Sequence, residues 1–252
     1  MYLRLGNRMF DTIILLTGPV EEAALTQVLR RYNPLLDVRP AKSLDELEAF
    51  DQSVLARARL VAFVTPVLVP ARILGALGFS AYNFHPGPPQ YPGWVPAHFA
   101  IYDRASHFGV TAHAMIERVD AGPIVGVKMF DIPPNTSVLR LQELAFVELA
   151  RLFWLLASAL ATQSEPLAEL PIKWSGAKST RRSYAAMSDI PADISKDELE
   201  RRIEVFGAGH YGVSLTVTLH GREFRYTAPD DTKVDAPSIA PAEQVVEPAA
   251  GF

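Results

Sequence analysis

Short apolar runs alternate with helix-length amphipathic segments through the first half of the chain, and that alternation restricts the fold more than any other feature. Thr12-Ile13-Ile14-Leu15-Leu16 has the unbroken apolar character of a strand buried on both faces. Residues 21–32 follow with Leu25, Val28 and Leu29 at helical spacing. Residues 43–57 read as a second helix, Leu60-Val61-Ala62-Phe63-Val64 as a second strand, 70–77 as a short helix and 79–84 as a third strand. Strands joined through helices can lie parallel, which hairpin loops do not allow. The pattern predicts an α/β fold with a Rossmann-like, open, largely parallel sheet whose functional loops gather at strand ends.

Further along, 95–102 reads as a helix, 109–115 and 124–129 as strands, and 138–161 as a long helix. The apolar content of that helix exceeds one core-facing stripe, so deep burial and a subunit interface both stay open, and with the second a homodimer. From Pro171 the character changes. Lys173-Trp174-Ser175-Gly176 and Arg181-Arg182-Ser183-Tyr184 make a basic connector, and Ser195 opens a helix to Phe206 with Glu198 three residues on, the spacing of a capping box. Residues 213–218 and 222–227 read as two strands about a His220-Gly221 turn. The expected organisation is a main domain over 1–170, a small helix-and-hairpin module over 171–230 and a loose Ala/Pro/Glu/Val-rich tail over 231–252.

Composition removes several classes of function. At 252 residues, 49% of them apolar and 21% charged, the chain can bury a sizeable core. A net charge of −4 gives no support for a stable nucleic-acid partner, since phosphate binding brings a basic excess. With no cysteine, disulfides, thiolate catalysis and Cys-ligated zinc are excluded, which fits a reducing, cytoplasmic location. The N-terminal residues lack a signal-peptide pattern, and the apolar run at 152–161 is short of the roughly 20 residues that cross a bilayer, so no membrane insertion is expected. Thr17-Gly18-Pro19 offers neither a Gly-x-Gly-x-x-Gly fingerprint nor a Walker lysine. His98 and His107 lack the spacing of a metal site.

Three polar residues suit one reaction. The amide of Asn83 can polarise an acyl oxygen, the imidazole of His85 can move a proton, and the carboxylate of Asp120 can orient and charge-balance that imidazole. Each has a plainer reading, Asn83 and Asp120 as turn residues and His85 as a core histidine. His113 would share one side of its strand with Thr111 and Met115, as a hydrogen-bond partner behind the site or as packing. The combination Asn83-Phe84-His85-Pro86, Tyr91-Pro92-Gly93, Gly109-Val110-Thr111-Ala112-His113 and Asp120-Ala121-Gly122-Pro123-Ile124 resembles the folate-dependent formyltransferase superfamily, most strongly from Phe63 to Ile124.

The resemblance implies N10-formyltetrahydrofolate as formyl donor, held beside Thr65, Pro66, Val67 and Leu68 and by the loop carrying Val119 and Asp120. It implies Asn83 as hydrogen-bond donor to the carbonyl, His85 as proton-transfer group, and Asp120 as partner of His85 and of the attacking group. Neither a metal nor a covalent enzyme intermediate is implied. Pro86-Gly87-Pro88-Pro89-Gln90-Tyr91-Pro92-Gly93 departs from the loop that follows the histidine in relatives, and the C-terminal part is short for a tRNA-binding barrel. The chain is thereby most similar to enzymes that formylate a nucleotide-linked amino sugar in surface-polysaccharide (lipopolysaccharide, O-antigen) synthesis. Gly87, Tyr91, Trp94 and Tyr102 are expected at the acceptor, with Arg181 and Arg182 meeting its phosphates. Donor hydrolysis, another small amine acceptor and a non-enzymatic folate-binding module are the alternatives.

Overall fold

Strand β1 (Thr12–Leu16) is buried at every position, as an apolar run flanked by strands and covered on both faces must be. The computed structural model describes residues 10–227, which divide into two compact units between Met187 and Ser188. In the first unit β1 is joined by β2 (Asp37–Ala41), β3 (Ala58–Phe63), β4 (Tyr82–His85), β5 (His107–Ala114) and β6 (Ile124–Asp131). Their order is β2-β1-β3-β4-β5-β6. The first four run parallel, whereas β5 is antiparallel to both β4 and β6. The expected largely parallel α/β architecture is the one observed.

Alternation along the strands decides what each face meets. On one face Phe63 and Phe84 pack around Phe153 of α6 (Val138–Thr162), with ring centroids 5.1–5.9 Å apart. Helix α1 (Pro19–Tyr32) packs beside α6. On the other face Ile14, Leu16, Leu60 and Ala62 form a cluster with Leu47 of α2 (Leu44–Glu48), Leu55 of α3 (Gln52–Leu55) and Ile73 of α4 (Ala71–Ala76). Burying one such Leu, Ile or Phe side chain contributes roughly 1.5–3 kcal/mol.

Several local expectations need correction. The helix read over 43–57 is two short helices, because Asp51 adopts an extended conformation (φ −60°, ψ 150°) between them. Strand β2 was not anticipated, since it contains Pro40. It lies at the sheet edge, where a missing N–H costs no ladder bond on the open side. The long helix spans 25 residues and so has the length and composition to cross a bilayer, which the apolar run at 152–161 alone did not suggest. In the structure Leu141, Ala145, Leu149 and Phe153 bury one side of it against the sheet, while Phe146, Val147, Trp154 and Leu155 stay exposed.

Arg59 ends this helix from inside the core. Its guanidinium donates to the Leu160 carbonyl at 2.7 Å, an acceptor that the helix C-terminus leaves open, and to the Glu165 carbonyl at 3.1 Å in the segment beyond the helix. The Tyr82 hydroxyl accepts from Leu167 N at 2.7 Å, so the chain leaving α6 is fastened to β4.

Residues 171–187, grouped with the C-terminal module in the sequence reading, belong to the first unit. A helix, α7 (Arg181–Ser188), forms within the basic connector. The second unit contains β7 (Asp189–Ile190), α8 (Lys196–Phe206), β8 (Thr216–Leu219) and β9 (Arg222–Arg225), with the three strands in one sheet. Ser195 caps α8 by accepting from Glu198 N. The tail read over 231–252 lies outside the described residues.

Candidate active site

Asn83 and His85 stand two residues apart in β4 and therefore share a face of the sheet. It is the face opposite α6, because the intervening Phe84 packs on Phe153. Register brings a third polar group there. Asn83 lies opposite His113 of β5 in an antiparallel pair, so their side chains are neighbours. Asn83 sits within the strand, as the reading of 79–84 expected, and backbone pairing fixes it there.

Asp120 completes the cluster from the loop between β5 and β6. Its backbone is left-handed (φ 46°), a conformation that aspartate tolerates better than most residues. One carboxylate oxygen, Oδ2, accepts from Gly93 N at 2.8 Å and lies 3.6 Å from His85 Nδ1. The other, Oδ1, is 3.2 Å from His113 Nε2 and 3.5 Å from Asn83 Nδ2. Asn83 Nδ2 is also 3.2 Å from His113 Nε2. His85, His113 and Asp120 are all buried.

Carbonyl partners fix the tautomers. His85 Nε2 meets the Tyr91 carbonyl at 3.1 Å, and His113 Nδ1 meets the Ala114 carbonyl at 2.9 Å. A carbonyl only accepts, so both of these nitrogens carry protons; His113 Nε2 therefore donates to Asp120 only in the doubly protonated ring and otherwise accepts from Asn83 Nδ2. His85 is left with Nδ1 as its exchangeable site, turned towards Asp120. Burial pushes the His85 imidazole below its ordinary value of 6.5, against the charge of Asp120 and the Tyr91 bond, which raise it; His113 lowers it further. For Asp120 burial acts upwards, but the His113 bond, the charges of both imidazoles and the Gly93 N–H hold the carboxyl at about 2. At neutral pH the site therefore holds an ionised carboxylate beside an uncharged His85, a base with its counter-charge already in place.

The other expected site residues occupy different settings. Thr65, Pro66, Val67 and Leu68 follow β3, whose Ala62 is the register partner of Asn83. Thr65 Oγ1 accepts from Val67 N, Val67 packs on the core, and Leu68 stays 67% exposed. Val119 is 39% exposed, and its carbonyl accepts from Lys178 Nζ at 3.1 Å. Gly87 is pressed under the imidazole: a Cβ there would meet His85 Nε2 at 2.5 Å and Pro96 Cβ at 2.8 Å. Tyr91 gives its carbonyl to His85 and its ring to Phe108, while burial and then Asp103 push its hydroxyl up to about 12. Arg181 lies with its guanidinium 5.6 Å from the Trp94 ring. Arg182 is exposed in the first turn of α7, and Tyr102 ends α5 (Pro96–Tyr102) half-buried.

Two contributors were not among the expected site residues, although Gly93 belongs to the Tyr91-Pro92-Gly93 motif. Gly93 has φ 98°, donates to Asp120 and forms a bridge to Ser179. Trp174 donates from its indole to the Gly122 carbonyl at 2.8 Å. The Lys173-Trp174 junction was visible, but nothing in its spacing says which loop it reaches.

Comparison with known proteins then decides the family. The profile described as formyl transferase matches residues 17–150, more than half of the chain. The chain belongs to the formyl transferase family. Within that family, methionyl-tRNA formyltransferase of Listeria monocytogenes is 30% identical over 120 residues, 47% of this chain and 36% of the relative. The chain thus spans well under half the length of that relative. Among solved structures, a sugar N-formyltransferase from Shewanella sp. FDAARGOS_354 superposes with a TM-score of 0.67 at 16% identity, covering 87% of this chain and 96% of that one. The N-formyltransferase of Helicobacter canadensis, solved with folinic acid and dTDP-3-aminofucose, gives 0.59 at 15% identity, covering 84% and 85%. These two are likenesses of fold. The match to the formyl transferase profile contains Asn83, His85, Asp120, Gly93 and His113 and ends before Trp174.

Proposed function

We propose that this chain transfers a formyl group from N10-formyltetrahydrofolate to the amino group of a nucleotide-linked amino sugar. The observation that carries the reading is the convergence of Asn83, His85 and Asp120 about one carboxylate, with His85 Nδ1 turned towards Asp120 Oδ2 at 3.6 Å. Family membership gives formyl transfer as the chemistry for that arrangement.

The donor supplies an activated formyl carbon. Exposed apolar side chains on the flanking loops, Leu68 and Val119 among them, suit a flat heterocycle. When the amine attacks, a C–N bond forms and negative charge grows on the formyl oxygen. Asn83 Nδ2 answers that charge, since its 3.5 Å contact with Asp120 is weak enough to leave one N–H for recruitment. The amine proton passes to His85 Nδ1, and the imidazolium formed is stabilised by Asp120. Breaking the carbon–N10 bond returns a proton to the departing tetrahydrofolate, so the protein ends as it began.

The acceptor class rests on coarser support. The sugar N-formyltransferase from Shewanella is covered over 96% of its length. The cations Lys173, Lys178, Arg181 and Arg182 are exposed on the segment beside the Gly93 loop, and guanidinium groups suit a diphosphate.

The test is mass spectrometry of purified protein with N10-formyltetrahydrofolate and a panel of nucleotide-linked amino sugars. Formylation of one acceptor that needs both donor and His85 is the expected result. Tetrahydrofolate release without an acceptor would make the protein a hydrolase, and formylation confined to other amines would remove the sugar reading.

A further inference from the structure

The buried faces of His85 and His113 are closed by a residue outside the profile match. The Trp174 ring meets His113 at 5.1 Å between centroids and His85 at 5.8 Å, edge to face in both cases. The same indole donates to the carbonyl of Gly122, two residues beyond Asp120. One side chain thus touches both imidazoles and holds the loop that carries the carboxylate.

The segment around it is built for this position. Ser175 N donates to the Pro89 carbonyl at 2.9 Å, Ser179 N to the Pro92 carbonyl at 2.9 Å, and Trp94 N returns a bond to the Ser179 carbonyl at 3.0 Å. Close approach is written into two glycines. A Cβ on Gly93 would sit 2.1 Å from the Ser179 carbonyl oxygen, and one on Gly176 would sit 2.3 Å from that of Gln90. Residues 174–179 therefore lie as a strap over the loop following His85, tied at both ends.

We infer that Trp174 is a positioning residue, which closes the site over His85 and His113 and fixes the Asp120 loop through Gly122. Without the indole, water reaches the His85 imidazole, and its protonated form gains solvation that the closed site denies it. The groups facing His85 are Asp120 from the β5–β6 loop, His113 from β5 and the Tyr91 carbonyl from the following loop. None belongs to the strap, so the strap acts on His85 through solvent exclusion and through the position of Asp120. The catalytic consequence rests on the formyl-transfer reading above, whereas the titration of His85 does not.

The experiment follows the His85 imidazole by NMR in histidine-labelled protein, with H85N identifying its signal, in wild type, W174F and W174A. The expected result is a His85 titration that rises by roughly one pH unit in W174A and by less in W174F, which keeps a ring over the imidazole but loses the bond to Gly122. If transfer activity is in hand, W174A should lose about tenfold in kcat with little change in donor KM. A folded W174A with an unmoved His85 titration overturns the assignment, as does a W174F shift equal to that of W174A. Should W174A not fold, deuterium exchange at the imidazole Cε1 in wild type and W174F decides. Slow exchange at His85 relative to the exposed His107 and His220 is expected, and equal exchange overturns the assignment. Because these readouts need no turnover, failure of the formyl-transfer reading would leave them intact.

Discussion

His113 Nε2 lies 3.2 Å from Asp120 Oδ1, while Gly93 N holds Oδ2 at 2.8 Å, so the carboxylate is fixed through both oxygens before it faces His85. That division of labour leads to different expectations for each partner.

Asp120→Asn should leave the fold intact, because an amide oxygen still accepts from Gly93 N. It removes the charge that stabilises imidazolium at His85. We expect kcat to fall by about 10²–10⁴ with donor KM changed only a few-fold, measured by steady-state formyl transfer. A KM effect with kcat unaltered would assign Asp120 to binding instead.

The Asp120 carboxyl should also appear in pH-dependent stability. Its folded value of about 2 is below the ordinary 3.8, so between these the unfolded chain binds more protons and stability falls with falling pH. The contribution, on the order of 2 kcal/mol, is fully present above the unfolded value and lost as pH drops through the folded one. Urea denaturation of wild type and D120N across pH 2–7 checks this. The difference attributable to ionisation should shrink in the acid part of that range and stay flat above about pH 5.

For His85 the sign runs through activity. Its imidazole titrates below 6.5 because it is buried, so the basic form predominates at neutral pH. The acid limb of kcat/KM should therefore have its midpoint below 6.5, with full activity at pH 7. A midpoint above 6.5 would mean that the charge of Asp120 outweighs burial.

How much of this was legible beforehand depended on the range of the interaction. The strand of Ile13, Ile14 and Leu15 and the capping of α8 by Ser195 announce themselves through neighbours in sequence. Asn83, His85 and Asp120 were singled out because their residue types and pattern resemble those of a known family, and the fold brings them together. The break at Asp51 was not legible, since the amphipathic spacing continues through it. Nor were the contacts of Gly93 and Trp174, which join segments more than 25 residues apart and depend on where the strap crosses the loop.

Gly93→Ala tests that crossing. Its φ of 98° is outside the comfortable range of residues with a Cβ, and the added atom would collide with the Ser179 carbonyl. A loss of at least about 1–3 kcal/mol is expected from the backbone conformation alone. Differential scanning calorimetry should show a lowered Tm, and kcat should fall with it because the N–H that holds Asp120 Oδ2 must move. Unchanged kcat in a destabilised protein would mean that His113 alone suffices to hold the carboxylate.

Arg181 separates the acceptor from the chemistry. Its guanidinium lies over Trp94, the neighbour of Gly93, so it stands beside the loop that follows His85. If the acceptor carries a diphosphate, Arg181→Ala removes a charge-assisted contact worth roughly 1.5–3 kcal/mol, which is a rise of about ten- to a hundredfold in acceptor KM. Donor KM and the His85 titration should not move. Arg181→Lys keeps the charge but loses the planar face that lies on the indole, so it should recover only part of the loss. The same measurement with an acceptor lacking the nucleotide carries the decisive contrast. R181A should then match wild type, and an equal defect with both acceptors would show that Arg181 serves the packing of Trp94 rather than phosphate binding.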